Sequence, residues 1–250
     1  NDFADAELRC PQPGLNARIV ESVVCGRSVI ATSDEVRTAN THGVLQQIIL
    51  DTSWKNDMVP SDIDEVRVLL GRAYLQLFAG YRLSRVLCEL VDEIDAWHIS
   101  GASAEWTFYN FQAYWIANPG SVWNRNRALA VVTRESIRQD PHSIAADLFR
   151  HREPKFAFTS GEQLLLEAAL DGVDDTAASN LLHVGVPAIK RRWNNIFDRV
   201  TAIQPHLCPP SENGVRGSQK RQRILSYVRD HSEELRPFDF ELKRSNRQAN

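Results

Sequence analysis

The sequence predicts a mainly α-helical protein, with α+β as the alternative for its N-terminal domain and a small helix-turn-helix bundle towards its C-terminus. Three observations carry this. Apolar residues recur at helical spacing over 66–78 and again over 189–200. Helix-start and helix-stop signals punctuate 158–187 in the order helix, helix, short turn, helix. Short apolar runs in the first third of the chain, by contrast, are too brief to separate strand from helix.

Taken in chain order, residues 1–14 are rich in polar residues and proline and predict little regular structure. Val23-Val24 and Ser28-Val29-Ile30 are candidate strand pieces, and 44–50 (VLQQIIL) reads either way. Residues 55–62 read as a loop, with Pro60 and Ser61-Asp62 placed to start a helix. Val66, Leu69, Leu70, Ala73, Leu77 and Phe78 then share a helix face. After a turn at Gly80, Leu83, Val86, Leu87, Leu90 and Val91 predict a second helix ending before Trp97.

Residues 97–123 hold Trp97, Trp106, Phe108, Tyr109, Phe111, Tyr114, Trp115 and Trp123, with a turn at Pro119-Gly120. Such a group builds core, lines an apolar pocket or forms a partner surface. Beyond it, Ala128, Val131 and Val132, and after Asp140-Pro141 also Ile144, Ala145 and Leu148, predict helical stripes. The polar, proline-containing run 151–155 marks a domain boundary.

The local signals are clearest from Phe158 onward. Thr159 or Ser160 caps a helix, and Glu162, three after Thr159, completes a capping-box pattern. Leu164, Leu165, Ala168 and Ala169 give that helix an apolar side, and Gly172 ends it. Asp174 or Asp175 caps a second helix that buries Ala177, Ala178, Leu181 and Leu182. His183, Val184 and Gly185 form a short turn, with Gly185 the residue free to take an unusual backbone angle. Pro187 suits the first turn of the third helix, where its missing amide costs little.

In that third helix Ile189, Trp193, Ile196, Phe197 and Val200 fall within an arc of about 100°. Pro187, Arg191, Asn194, Asn195 and Asp198 occupy the opposite side, flanked by Lys190. Arginine bonds two acceptors on guanine and asparagine pairs with the edge of adenine, so this outward set suits the major groove. Lys190 and Arg192 suit phosphates, while Asp198 would direct the N-terminal half of the helix towards a duplex.

The stretch 158–200 resembles the C-terminal DNA-binding domain of LuxR/GerE-type transcriptional regulators. Phe158-Thr159 and Glu162 match the family's opening, Leu164-Leu165-Leu166 its apolar run, and Gly172 its glycine. Asp175-Thr176-Ala177-Ala178 match the second helix, Ile189-Lys190 the start of the recognition helix, and Ile196-Phe197 with Arg199-Val200 its close. The resemblance implies a four-helix unit that binds double-stranded DNA, commonly as a homodimer, with Lys190 on the phosphate backbone. Gly185 departs from the family's Ser or Thr and removes the usual N-cap of the recognition helix. A promoter-reading region of sigma factors shares the same helical logic.

The expected organisation is an irregular segment (1–14), a regulatory or sensor domain (15–154), the helix-turn-helix (155–203), and a linker with a basic helix (204–250). In that last piece Pro205, Pro209, Pro210, Gly214 and Gly217 precede a helix over 218–231. Its Lys220, Arg221 and Arg223 are candidate phosphate contacts. The helix itself is read as a phosphate-contacting arm, an element docked on the first domain, or a dimerisation element. Cations at a helix N-terminus oppose its dipole, so an acidic partner is expected there.

Charge sets further bounds. Residues 1–157 carry 16 Lys+Arg against 20 Asp+Glu, and 158–250 carry 13 against 12, for a net charge of −3. With no polybasic surface, DNA affinity has to come from local placement of cations. The four cysteines, Cys10, Cys25, Cys88 and Cys208, lack the close pairing of a metal or redox motif, so no metal or cofactor is expected. G-x-G-x-x-G, P-loop, H-E-x-x-H and G-x-S-x-G patterns are missing, and Asp92, Glu93 and Asp95 read as a solvated acidic turn. His98, His142 and His151 have no metal-ligand spacing, and Cys88 with His98 or Cys25 with His42 are chance pairings.

No apolar run is long enough for a membrane span, and no signal-peptide pattern opens the chain, so a cytoplasmic location is expected. The reading is thus a non-enzymatic DNA-binding regulator whose N-terminal domain answers a small-molecule or protein effector. A protein-interaction scaffold, and an enzyme with an unrecognised N-terminal site, are the alternatives.

Overall fold

The computed structural model describes residues 2–27, 30–49, 60–90, 107–121, 127–139, 146–208 and 217–241. The chain divides into two compact units, Asn1–Arg150 and His151–Asn250. Among the described residues the first is α+β and the second helical.

The first unit opens with helices α1 (Asp2–Arg9), α2 (Leu15–Val24) and α3 (Ser33–His42). The expected irregular start is therefore partly helical, and Val23-Val24 end a helix rather than form a strand. Helix α3 is fixed locally: Thr32 and Glu35 make a full capping box, and Gly43 closes it at φ 70°. There follow β1 (Leu45–Ile49), α4 (Pro60–Phe78), β2 (Leu83–Leu90), β3 (Thr107–Asn110), α5 (Gln112–Ala117), β4 (Ala128–Thr133), α6 (Arg134–Gln139) and α7 (Ala146–Phe149). Helix α4 starts at Pro60 and ends before Gly80, which turns at φ 84° as the sequence suggests.

The strands lie in the order β1-β2-β4-β3, with β1 and β2 parallel and the other pairs antiparallel. Two expected helices are thus strands, 83–90 and 128–133. The reason is that both central strands are covered on both faces. Leu87, Leu129 and Val131 point to Leu15, Ile19 and Phe111 on one side. Val86 and Val132 point to Ile137, Ala146, Leu148 and Phe149 on the other. A strand buried on both faces is apolar throughout and loses the alternation that identifies it.

Glu89, 6% exposed, ties the chain's beginning to this sheet. Its carboxylate accepts from the Gly14 N–H at 2.6 Å and pairs with Arg127 at 3.0 Å. Of the aromatic group, Phe111 is core, Tyr114 and Trp115 pack against it, and Phe108 is exposed. Trp97, Trp106 and Trp123 lie outside the described residues, as do Val29, Val91, Asp92, Glu93, Asp95, His98, His142, Ile144 and Ala145.

The second unit comprises α8 (Ser160–Leu170), α9 (Asp175–Leu181), α10 (Val186–Ile203) and α11 (Gly217–Asp230), with 3-10 turns at Pro205–Leu207 and Ser232–Leu235. One core gathers Phe156, Phe158, Leu165, Leu166, Ala178, Ile189, Trp193, Ile196, Val200, Ile224 and Val228. Because Ile224 and Val228 sit in it, α11 belongs to this bundle and is no separate arm. Glu234, 1% exposed, closes the unit by accepting the Lys155 and Phe156 N–H groups at 2.8 and 3.1 Å. No described helix is long and apolar enough to cross a membrane.

Candidate nucleic-acid interface

Helix α8 begins as its sequence dictates. The Thr159 N–H donates to Glu162 Oε2 at 2.8 Å, and the Glu162 N–H donates to Thr159 Oγ1 at 3.3 Å. It ends on Gly172 at φ 80°, with the Val173 and Gly172 N–H groups donating to Ala168 and Ala169. Asp174 then caps α9, its Oδ1 accepting from the Thr176 and Ala177 N–H groups, both at 2.8 Å.

Helix α9 closes with the same motif, but its left-handed residue is His183 at φ 51°. The Val184 and His183 N–H groups donate to the Ser179 and Asn180 carbonyls, a Schellman closure. The unusual angle therefore falls on His183. Gly185 is extended (φ −69°, ψ 152°) and provides no side-chain cap to α10. Within α9 only Ala178 is fully buried, whereas Ala177 and Leu181 face solvent, contrary to expectation. The helix is short and crosses α10 through that one small residue.

Helix α10 partitions cleanly. Ile189, Ile196 and Val200 are 0% exposed and Trp193 is 2% exposed. Pro187, Lys190, Arg191, Asn194, Asn195 and Asp198 are exposed on the other side. Among the described residues neither Lys190 nor Arg191 enters an ion pair, so both cations remain available to a ligand. The repelling carboxylate of Asp198 lies two turns further along.

Two predicted contacts are instead engaged in holding the bundle together. Arg192 is half-buried and donates to the Gly161 carbonyl at 3.3 Å. Its guanidinium carbon lies 3.1 Å from where a Cβ on Gly161 would stand, so a side chain there would press on the arginine. Arg221 forms a two-point pair with Asp175 at 3.0 and 3.2 Å and stacks 4.2 Å over the Trp193 ring. Asp175 is thus the acid expected near the start of α11. Lys220 is half-buried and Arg223 exposed.

Sequence reasoning missed Arg199, which donates to the Phe156 and Ala157 carbonyls and pairs with buried Glu162 at 3.4 Å. This link fixes the C-terminal half of α10 to the start of the unit. Partners some forty residues apart leave no periodic signal. Among the described residues no group of His, Cys, Asp and Glu has the makings of a metal site. Comparison with protein-family models, curated proteins and solved structures gives no match.

Proposed function

We propose that the C-terminal unit is a LuxR/GerE-type helix-turn-helix that binds double-stranded DNA with α10, and that the chain is a transcriptional regulator. The observation that carries this reading is the division of α10. Four anchors, Ile189, Trp193, Ile196 and Val200, are buried, while Lys190, Arg191, Asn194 and Asn195 stand in solvent within its first ten residues. Arg191, Asn194 and Asn195 would meet base edges, and Lys190 a phosphate. The α10 N-terminus lacks a side-chain cap, and the helix dipole leaves partial positive charge at that end, close to Lys190 in the sequence.

Arg192 and Arg221 would hold the helix at its working angle. The N-terminal unit would take a small-molecule or protein effector and, through a homodimer, set occupancy of the site. A protein scaffold reusing the same bundle is the competing reading, and it requires no preference among duplexes.

The test is fluorescence anisotropy of the full chain on a preferred and a scrambled duplex at two salt concentrations. Lys190→Ala should weaken both complexes alike and lower the salt slope by about 1. Arg191→Ala with Asn194→Ala should keep helicity but erase at least about 2 kcal/mol of preference, since each base contact contributes about 1–3 kcal/mol. An unchanged ratio between the two duplexes would reject the base-reading role.

A further inference from the structure

The N-terminal unit holds a cluster of cations that DNA binding does not use. Arg82 directly precedes β2, and Arg134 directly follows β4. Parallel pairing of β1 with β2 and antiparallel pairing of β2 with β4 bring these positions to one end of the sheet, beside the α3–β1 turn at Gly43. Arg82 Nε and Arg134 Nη1 lie 3.2 and 3.3 Å from a single point, the place a Cβ on Gly43 would occupy. Two guanidinium groups therefore sit side by side over a backbone that carries no side chain.

Each makes one type of contact. Arg82 donates from Nη1 to the Thr41 carbonyl, and Arg134 donates from Nη2 to the Leu83 carbonyl. Both Nε atoms are shut off from solvent with no acceptor. Among the described residues neither arginine meets a carboxylate in an ion pair, although other arginines of the unit do. Arg85 pairs with Asp5 at 2.9 Å and Arg127 with Glu89 at 3.0 Å. Arg138 lies one turn after Arg134 on α6, exposed, and adds a third positive charge on the same helix side.

Burial lowers the pKa of Arg82, and that of Arg134 is lowered by burial first and then by Arg82 and Arg138, with exposed Glu135 opposing. Like charges set together and half removed from water are unfavourable unless a counter-charge joins them. The Thr41 and Leu83 carbonyls each accept from one of the two half-buried cations but supply no full negative charge to balance the three.

We propose that Arg82, Arg134 and Arg138 form a binding site for a phosphate group, either free or carried by a small molecule. The remaining guanidinium N–H groups offer a tetrahedral dianion both charge and donors, and three cations match two negative charges better than the single charge of a carboxylate. The site is independent of the proposed DNA-binding role and stands or falls separately.

Titration calorimetry and thermal melting of the full chain test it, with inorganic phosphate, a phosphate monoester and succinate, each against chloride at equal ionic strength. Inorganic phosphate should give a saturable rise in melting temperature. Arg138→Gln, whose side chain lies in solvent, should keep or slightly raise the ligand-free melting temperature and weaken phosphate about tenfold. Arg82→Lys should weaken it while keeping the charge. Monoester binding as tight as or tighter than phosphate assigns the site to a phosphorylated metabolite, and binding of phosphate alone assigns it to the free anion. No saturable effect beyond chloride, tighter binding of succinate than of phosphate, or equal phosphate affinity in wild type and Arg138→Gln overturns the proposal.

Discussion

Replacing Arg221 by alanine separates a residue that holds the bundle from one that touches DNA. Arg221 reaches from α11 across to Asp175 at the start of α9, with N–O distances of 3.0 and 3.2 Å, and its guanidinium lies 4.2 Å above Trp193. The paired side chains retain 33% and 27% of their exposure, so solvent screening limits the ion pair to about 1 kcal/mol. The contact with a buried indole adds about 1 kcal/mol. Together these give a loss of about 2 kcal/mol. In a unit of this size each kcal/mol moves the melting temperature by about 4–8 °C, so the variant should melt roughly 10 °C lower.

A double-mutant cycle with Asp175→Ala isolates the pair and should return a coupling of about 1 kcal/mol. Circular dichroism melts and urea unfolding read the stability, and DNA anisotropy at a temperature where the variant is folded reads the interface. DNA affinity should then be nearly unchanged. An Arg221→Ala variant that melts like wild type, yet binds DNA more weakly with a shallower salt slope, would refute the reasoning and make Arg221 a phosphate contact.

Three further perturbations probe the rest of the account. His183, left-handed at φ 51° where α9 closes, should be replaced by glycine with a gain of about 1 kcal/mol, and a melting temperature unchanged or lower in His183→Gly contradicts this. Burial raises the pKa of Glu234 above its usual 4.5, so the folded state holds that proton more tightly than the unfolded state does. Its contribution is full below the unfolded value and is lost as pH rises through the folded one. The difference in unfolding free energy between wild type and Glu234→Gln should therefore fall across that window, and a flat difference would contradict it. Glu89→Ala, which removes the acceptor of the Gly14 N–H and the Arg127 partner, should cost about 3 kcal/mol. Hydrogen exchange should then rise at the start of α2 and remain unchanged in α10; unaltered exchange at α2 would count against the role given to Glu89.

The helical unit was legible because its determinants are local. Thr159 with Glu162, Asp174 with the two amides after it, Gly172, and the spacing of Ile189, Trp193, Ile196 and Val200 each act within a turn or two. The sheet was hidden for the opposite reason. Leu83, Val86, Leu87 and Leu90 satisfy helical spacing, yet β1 and β4 on either side make 83–90 a central strand. That pairing joins residues roughly forty apart, and buried faces above and below erase the alternation. Arg192, Arg199 and Arg221 show the same limit on a smaller scale. Each has a charge suited to phosphate, and only distant partners, Gly161, Glu162 and Asp175, reveal that it is occupied. The left-handed angle falls on His183 and not on Gly185 two residues later, where the conformational freedom of glycine pointed.

The most direct measurement of the central claim is selection of the full chain on a pool of randomised duplexes, followed by sequencing of the bound fraction. The outward face of α10 predicts enrichment of a short motif, lost when Arg191 and Asn194 are both alanine and retained in Arg223→Ala. A bound fraction indistinguishable from the starting pool, or a motif that survives removal of Arg191 and Asn194, would contradict it.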